Sequence, residues 1–203
     1  MSKNKKIKLI IIDLYGAMTL GSYKETCQWL GQKYGFNYKK CYDLVYHKYF
    51  CRAVARQISE NQSFALAAKE LGIKESGREL RAKHLYFQTL NQSVFKWALA
   101  KKGEGYKILL LSKNTPSQFK HVTNKYNLKK YFTVINTYYL NIDKRSKNML
   151  KYILRKYKLK PAEILMTDDQ DFNLTYPAKI GVHTILYKNF PNFKRKAELI
   201  LNN

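Results

Sequence analysis

Short apolar runs constrain the fold of this chain more than any other feature. Four of them are near-continuous, at residues 7–12, 107–111, 163–166 and 182–186. Strands of a parallel sheet have this pattern because helices cover both faces of the sheet, so polar and apolar residues do not alternate. A less regular run at 132–136 predicts a further strand. The chain is therefore expected to contain a parallel sheet.

Segments with helical spacing separate these runs from residue 107 onward. They lie at 115–125, 146–158 and 172–180. Ser146 is typical of a helix N-cap, and Gly181 is expected to act as the C-cap of the last of these helices. Regular alternation of strand and helix favours a doubly wound, Rossmann-like α/β sheet.

Residues 17–95 do not alternate in this way. Between Tyr23 and Tyr34, apolar residues fall on one helical face, and Gly35 is expected to end that helix. The stretch SENQSFALAAKELGI predicts a second helix that stops at Gly72, and residues 76–100 are mostly helical in pattern. An all-helical segment therefore follows the first strand before the sheet resumes.

This arrangement predicts two domains. Residues 1–16 and 96–203 are expected to form the α/β core, and residues 17–95 an inserted helical domain. With 203 residues and an apolar fraction of 45%, the chain is long enough to bury a substantial core.

The cysteine content and the hydropathy of the chain indicate in which cellular compartment the protein is expected. The three cysteines, Cys27, Cys41 and Cys51, form no CxxC pair and are odd in number. They are expected to be reduced thiols of a cytoplasmic protein. No stretch approaches the roughly 20 apolar residues that cross a bilayer, so no membrane association is expected.

The formal net charge of +24 raises the question of a nucleic-acid partner. Four basic residues lie at helical spacing in one segment: Lys147, Lys151, Arg155 and Lys158. Such a stripe can contact phosphates without selecting a sequence. The chain is also crowded with Lys, Asn, Tyr, Ile and Phe, which indicates a general compositional bias. Nucleic-acid binding is therefore possible but not the favoured interpretation.

Polar residues follow three of the predicted strands directly. Asp13 ends the first strand, Ser112 follows the 107–111 run, and Asp168 and Asp169 come shortly after the 163–166 run. Ligands gather at the carboxyl ends of strands in open parallel sheets. Carboxylates brought together there repel one another unless a cation neutralises them. The oxygen ligands suit a hard divalent cation, most simply Mg²⁺.

These strand ends resemble those of the haloacid dehalogenase-like (HAD) hydrolases over nearly the whole chain. IIIDLYGAMTL is similar to the first family motif, an apolar strand followed by Asp-x-Asp-Gly-Thr-Leu. ILLLSKNTP is similar to the second motif, a strand that ends in Ser or Thr. KPAEILMTDDQDFNLTYPAKIGVHTILY resembles the last, with its Asp-Asp-x-x-x-Asn pattern. The helical insertion resembles the C1-type cap of subfamily I.

The resemblance implies a role for each matching residue. Asp13 would be the nucleophile that forms an aspartyl-phosphate. Asp13, the backbone carbonyl of Tyr15 and Asp168 would hold Mg²⁺, with Asp169 close by. Ser112 would donate to a phosphoryl oxygen.

The third family motif is a lysine before the helix that precedes the acidic strand. Lys144 is the preferred match because Ser146 then takes the capping position, and Lys147 is the alternative. The resemblance implies that this lysine neutralises charge on the phosphoryl group. Lys113 stands where many relatives have Asn, so its charge either assists phosphate binding or is solvated.

Tyr15 departs from the phosphatase pattern, which has a second Asp at this position. Tyrosine, with a reference pKa of about 10, is a poor base near neutral pH. Asp-x-Tyr-Gly instead resembles the L-2-haloacid dehalogenases, which use no metal. Because Asp168 and Asp169 would repel an anionic substrate without a cation, the favoured function is a Mg²⁺-dependent phosphatase of a small phosphorylated metabolite, slowed by Tyr15. The alternatives are a metal-independent dehalogenase and a catalytically weakened domain that binds nucleic acid or a protein.

Overall fold

The computed structural model describes residues 6–202, so residues 1–5 and 203 of the predicted core lie outside the described part of the chain. Seven strands are present in the described residues, in chain order: β1 Leu9–Asp13, β2 Thr19–Leu20, β3 Thr89–Leu90, β4 Lys107–Ser112, β5 Thr133–Asn136, β6 Ile164–Asp168 and β7 His183–Leu186.

Five of these strands form one parallel sheet in the order β5-β4-β1-β6-β7. β1 is the central strand, and its Ile10 is in register with Ile108 on one side and Leu165 on the other. All five residues of β1 are buried, which explains its continuous apolar sequence. The parallel sheet and the five strands predicted from the apolar runs are thus confirmed. β2 and β3 form a separate two-stranded sheet.

Helices occupy most of the remaining described chain. They are, in chain order, α1 Tyr23–Tyr34, α2 Tyr38–Tyr42, α3 Cys51–Val54, α4 Glu60–Leu71, α5 Gly77–Phe87, α6 Gln92–Gly103, α7 Pro116–Lys125, α8 Leu128–Tyr131, α9 Thr137–Leu140, α10 Lys147–Tyr157, α11 Asp171–Lys179 and α12 Phe190–Asn202. A π-helical segment, Asp43–Phe50, joins α2 to α3, and a short 3-10 helix, Pro161–Glu163, precedes β6. Among the described residues, none of these helices has the length and apolar character needed to cross a membrane.

The chain divides into two compact units. The α/β unit contains Met1–Thr19, Leu90–Lys113 and Tyr126–Asn203, and the helical unit contains Leu20–Thr89 and Asn114–Lys125. The helical unit therefore includes α7 in addition to most of the predicted 17–95 insertion. The assignment of these units as a catalytic core and a cap remains a prediction.

Each unit has its own apolar core. In the α/β unit, buried side chains of β1, β4 and β6 pack with Met149, Leu150 and Ile153 of α10. These three residues recur at helical spacing, and the Ser146 hydroxyl caps α10 by accepting a hydrogen bond from the Met149 amide. The core of the helical unit is formed mainly by α1, α4, α5 and the π-helical segment.

The end of α11 differs from the sequence expectation. Gly181 was expected as its C-cap, but the C-cap residue is Ile180. Gly181 follows with a φ of 88°, and its amide donates to the carbonyl of Ala178. The helix therefore ends one residue earlier than expected, and Gly181 supplies the left-handed backbone conformation that closes it. The amide of Val182 also donates to the carbonyl of Pro177, which completes a Schellman motif.

Candidate active site

The three central strands end at the same edge of the parallel sheet. Asp13 is the last residue of β1, Ser112 the last of β4 and Asp168 the last of β6. Parallel pairing aligns the carboxyl ends of neighbouring strands, so these three residues lie at the same edge of the sheet on adjacent strands. All three residues are buried.

Lys144 contributes the positive charge of this group. Its Nζ lies 2.5 Å from Oδ1 of Asp13 and 2.7 Å from Oδ2 of Asp168, although it is 131 residues from Asp13 in the chain. Lys147, the alternative match to the family lysine, is exposed, and its Nζ lies 5.8 Å from the ring centroid of Tyr176. The structure therefore places Lys144 and not Lys147 between the carboxylates.

Burial and charge act in opposite directions on this pair. Burial raises the pKa of the Asp13 carboxyl well above its usual value, and the neighbouring Asp168 carboxylate adds to this effect, while Lys144 opposes it. Burial alone would lower the pKa of the Lys144 ammonium, but Asp13 and Asp168 together hold that pKa above its usual value. The ammonium is thus kept charged by the two carboxylates that it contacts.

Asp169 completes an acidic cluster. One carboxylate oxygen each of Asp13, Asp168 and Asp169 lies within 4.8 Å of the others. With Lys144 as the ammonium in contact with two of them, three carboxylates and one ammonium leave a formal charge of −2. Closely spaced carboxylate oxygens and a charge of −2 fit a bound divalent cation such as Mg²⁺.

Gly16 gives Asp169 the space to reach this cluster. Its φ is +97°, and a Cβ built on it would lie 2.4 to 2.8 Å from the carboxylate atoms of Asp169. A side chain at this position would therefore overlap the carboxylate as well as strain the backbone. Gly16 was not predicted as a site residue from the sequence, although its position in the first motif, three residues after Asp13, could have indicated that it lies at the site.

Asn173 and Gln170 orient Asp168 from the start of α11. Oδ1 of Asp168 accepts a hydrogen bond of 2.8 Å from Nδ2 of Asn173 and one of 3.0 Å from the backbone amide of Gln170. Its other oxygen is thereby directed to Lys144. Asn173 was not predicted as a site residue, but the Asp-Asp-x-x-x-Asn spacing in the sequence contained the necessary information.

The Ser112 hydroxyl is fully buried, and its oxygen has no hydrogen-bond partner among the described residues. A buried polar group without a partner costs free energy, roughly 1–3 kcal/mol in typical cases. Its position at the end of β4, beside the strand that carries Asp13, is suited to binding an oxygen of a ligand. The structure thus brings Ser112 to the same sheet edge as the carboxylates.

Tyr15 lies in the turn that follows β1. This turn is closed by hydrogen bonds from the Gly16 amide to the carbonyl of Thr19 and from the Met18 amide to the carbonyl of Asp13. Tyr15 is half-buried, and its hydroxyl oxygen is buried. The remaining predicted binding residue, Lys113, is half-buried, and its Nζ lies 3.4 Å from Oδ2 of Asp143.

Residues 7–175 match the family model of the haloacid dehalogenase-like hydrolases. The chain belongs to this family. The match spans β1 to the first part of α11 and therefore includes every residue of the acidic cluster as well as Ser112 and Lys144. Among curated proteins, no sequence matches this HAD-like hydrolase significantly.

Solved structures of HAD proteins share the fold. A predicted HAD-like family hydrolase from Porphyromonas gingivalis superimposes with a TM-score of 0.74 at 18% identity, covering 98% of this chain and 99% of that chain. A HAD family enzyme from Bacteroides thetaiotaomicron, solved as a magnesium complex, gives 0.70 at 22% identity, covering 91% and 94%. The L-2-haloacid dehalogenase from Xanthobacter autotrophicus, solved with chloropropionic acid covalently bound, gives 0.64 at 17% identity, covering 93% and 81%.

These relatives carry different ligands on one fold. The Bacteroides enzyme was also solved with magnesium and inorganic phosphate together, whereas the Xanthobacter enzyme carries a covalently bound organic acid. Similarity at these identities establishes the fold of this HAD-like hydrolase. Which reaction it catalyses, phosphate ester hydrolysis or dehalogenation, depends on the residues of its own site.

Proposed function

We propose that this HAD-like hydrolase is a Mg²⁺-dependent phosphatase of a small phosphorylated metabolite that acts through an aspartyl-phosphate on Asp13. The observation that carries the proposal is the cluster of three carboxylates, Asp13, Asp168 and Asp169, with the Lys144 ammonium among them. Without a further cation, this excess of negative charge would repel a phosphate ester or any other anionic substrate.

Asp13, Asp168, Asp169 and the backbone carbonyl of Tyr15 are the groups that would hold the metal. Bound Mg²⁺ supplies positive charge that neutralises the carboxylates and the phosphoryl oxygens. The magnesium and phosphate found together in the Bacteroides relative support this proposal, since that enzyme shares the fold.

The chemistry on this chain's own residues has two displacements at phosphorus. An oxygen of Asp13 forms a bond to phosphorus while the bond from phosphorus to the ester oxygen breaks. The ester oxygen leaves with the electron pair and takes a proton from the Tyr15 hydroxyl or from water. Water then attacks phosphorus and loses a proton, which releases inorganic phosphate and restores the Asp13 carboxylate.

Ser112 and Lys144 stabilise charge during both displacements. The unpartnered Ser112 hydroxyl donates a hydrogen bond to a phosphoryl oxygen, and Lys144 offsets negative charge beside Asp13. Lys113, which directly follows Ser112, adds positive charge on the substrate side. Tyr15 is an adequate acid but a poor base, so activation of water in the second displacement is expected to be slow.

The proposal is tested by phosphate release from p-nitrophenyl phosphate in Mg²⁺, comparing the natural chain with Asp13→Asn. We expect release to fall by at least about a thousandfold, because the amide is not a nucleophile. Asp171→Asn is the matched control, since Asp171 is exposed at the start of α11 outside the cluster. Release by Asp13→Asn comparable to that of the control would refute the assignment of Asp13.

Metal-independent dehalogenation is the second candidate, and Tyr15 is the observation that favours it. In that reaction Asp13 would attack carbon and halide would leave without needing a proton. The test is chloride release from 2-chloropropionate in excess chelator. Chloride release there would support dehalogenation over phosphate ester hydrolysis, and its absence would eliminate this candidate.

A further inference from the structure

Three charged residues next to the candidate site form a cluster, of which the proposed reaction uses only Lys113. We call Lys113, Asp143 and Arg145 the basic rim. Nζ of Lys113 lies 3.4 Å from Oδ2 of Asp143. Arg145 holds the same carboxylate with two groups, through Nε at 3.0 Å from Oδ1 and Nη2 at 2.8 Å from Oδ2. The Arg145 amide also donates to Oδ1, at 2.8 Å.

Chain continuity places the basic rim beside the proposed phosphoryl site. Lys113 follows Ser112 directly, and Asp143 and Arg145 immediately precede and follow Lys144. Ser112 and Lys144 are buried, whereas the side chains of Lys113, Asp143 and Arg145 are 33%, 38% and 53% exposed. The rim therefore lies on the solvent side of the groups that would bind the phosphoryl oxygens.

The rim carries a net charge of +1, since two cations share one carboxylate. Hydrogen bonding from Arg145 holds the pKa of Asp143 well below its usual range, so the carboxylate stays ionised and keeps both cations in position. The exposed ring of Phe172 also helps to hold the guanidinium in place through a cation–π contact, since Cζ of Arg145 lies 5.9 Å from the ring centroid. A fixed pair of cations next to a phosphate site is suited to bind a second anionic group.

We propose that the basic rim selects substrates with a second anionic group, a carboxylate or another phosphate, on the organic part of the phosphate ester. Lys113 and Arg145 bind that group, and Asp143 positions both cations. This inference rests on the phosphatase function proposed above and narrows its substrate class. A neutral sugar or polyol phosphate would lack any partner for the rim.

Two matched substrate pairs test the proposal and distinguish the two kinds of anion. 3-Phosphoglycerate and glycerol 3-phosphate differ in a carboxylate, and fructose 1,6-bisphosphate and fructose 6-phosphate differ in a second phosphate. In one of the two pairs, we expect kcat/KM for the compound with the additional carboxylate or phosphate to exceed that of its matched partner by at least about tenfold. A difference in the first pair identifies a carboxylate, and a difference in the second a phosphate.

Variants of the rim link this preference to its residues. Lys113→Gln and Arg145→Gln should each reduce the ratio of kcat/KM within the preferred pair, mainly through KM. Lys196→Gln and Arg195→Gln are the matched controls, because both residues are exposed in α12, away from the site motifs. Their ratios should equal that of the natural chain.

Equilibrium binding provides a readout that does not depend on turnover. Calorimetric titration of Asp13→Asn in Mg²⁺ should show tighter binding of the preferred compound, which has a second anionic group, than of its matched partner. The difference in affinity should shrink when Arg145→Gln is added.

Ratios near one for both pairs, in a protein that hydrolyses p-nitrophenyl phosphate, would overturn this inference and leave the phosphatase function standing. A preference that survives in both rim variants would also overturn it. If the natural chain released no phosphate from any of these substrates, the proposed function would be overturned and this inference with it.

Discussion

Asp13, Asp168 and Asp169 are separated by up to 156 positions in the chain, yet the ends of β1 and β6 bring them together around Lys144. At the residue scale, the site depends as much on a missing side chain as on the charged ones. Gly16 leaves the space that the Asp169 carboxylate fills, so the acidic cluster requires glycine there. Asn173 in turn fixes which oxygen of Asp168 faces Lys144.

Gly16→Ala should weaken metal binding. The added Cβ overlaps the Asp169 carboxylate and displaces it from the cluster, so we expect the Mg²⁺ affinity measured by calorimetry to fall by about tenfold. Gly105→Ala is the control, because Gly105 has a similar φ of +95° but nothing within 4 Å of an added Cβ. Both variants should lose about 1 kcal/mol of unfolding free energy to backbone strain. Equal Mg²⁺ affinities in the two variants would contradict the role given to Gly16.

At the element scale, the sequence predicts the strands and the principal helices well. The apolar runs located all five strands of the parallel sheet, because burial on both faces requires such runs. Helix ends followed the capping residues at Ser146, Gly35 and Gly72. The association of α7 with the helical unit was not predictable, since it depends on contacts between distant segments rather than on local pattern.

The surroundings of His84 in α5 were likewise not predictable from local sequence pattern. Its ring is fully buried, and its Nε2 lies 3.1 Å from Oε1 of Gln118 in α7. On the other side of the ring, Nδ1 lies 2.9 Å from the hydroxyl of Thr26 in α1. This network joins three helices of one unit, and no pattern in the sequence indicates it.

Burial of His84 makes the stability of the helical unit depend on pH. Burial lowers the pKa of His84 from 6.5 to about 4. The unfolded chain therefore binds the proton more readily, and unfolding free energy is lost as the pH falls from about 6.5 to about 4, by roughly 3 kcal/mol in total. Above about pH 6.5 the imidazole is neutral in both states and contributes no slope.

NMR titration of the His84 imidazole measures this directly. Its ring signals should remain those of the neutral form down to about pH 4.5. Denaturant unfolding at several pH values should then show a steeper loss of stability in the natural chain than in His84→Gln. A His84 midpoint near 6.5 in the folded protein would contradict the account of its burial.

At the scale of the whole molecule, the net charge of +24 is the dominant surface property. Three residues of the predicted basic stripe, Lys147, Lys151 and Arg155, lie on an exposed face of α10, and the fourth, Lys158, is the left-handed C-cap of that helix. Within residues 6–202 none of the four forms an ion pair with an acidic side chain. Charge of this kind attracts polyanions over the whole surface without a defined site. If the charge of +24 reflects a general compositional bias of the chain, which we call the compositional interpretation, α10 should bind nucleic acid no more strongly than other basic parts of the surface.

Nucleic-acid binding should decrease equally whichever four surface cations are removed. We compare neutralisation of the four stripe residues to Gln with neutralisation of four exposed cations of the same types: Lys188, Lys194, Arg195 and Lys196. Fluorescence anisotropy with a short RNA and a short DNA duplex, over a salt series, should give the same loss of affinity for both variants. A much larger loss for the stripe variant would contradict the compositional interpretation and support a nucleic-acid site on α10.

Phosphate release from p-nitrophenyl phosphate, in Mg²⁺ and in excess chelator, tests the central claim most directly when the natural chain is compared with Tyr15→Asp. The account predicts release that requires the metal and that rises at least about tenfold in Tyr15→Asp, because the carboxylate can activate water where the phenol cannot. Equal release in chelator would contradict the metal site. No release from either folded protein would contradict the phosphatase function itself.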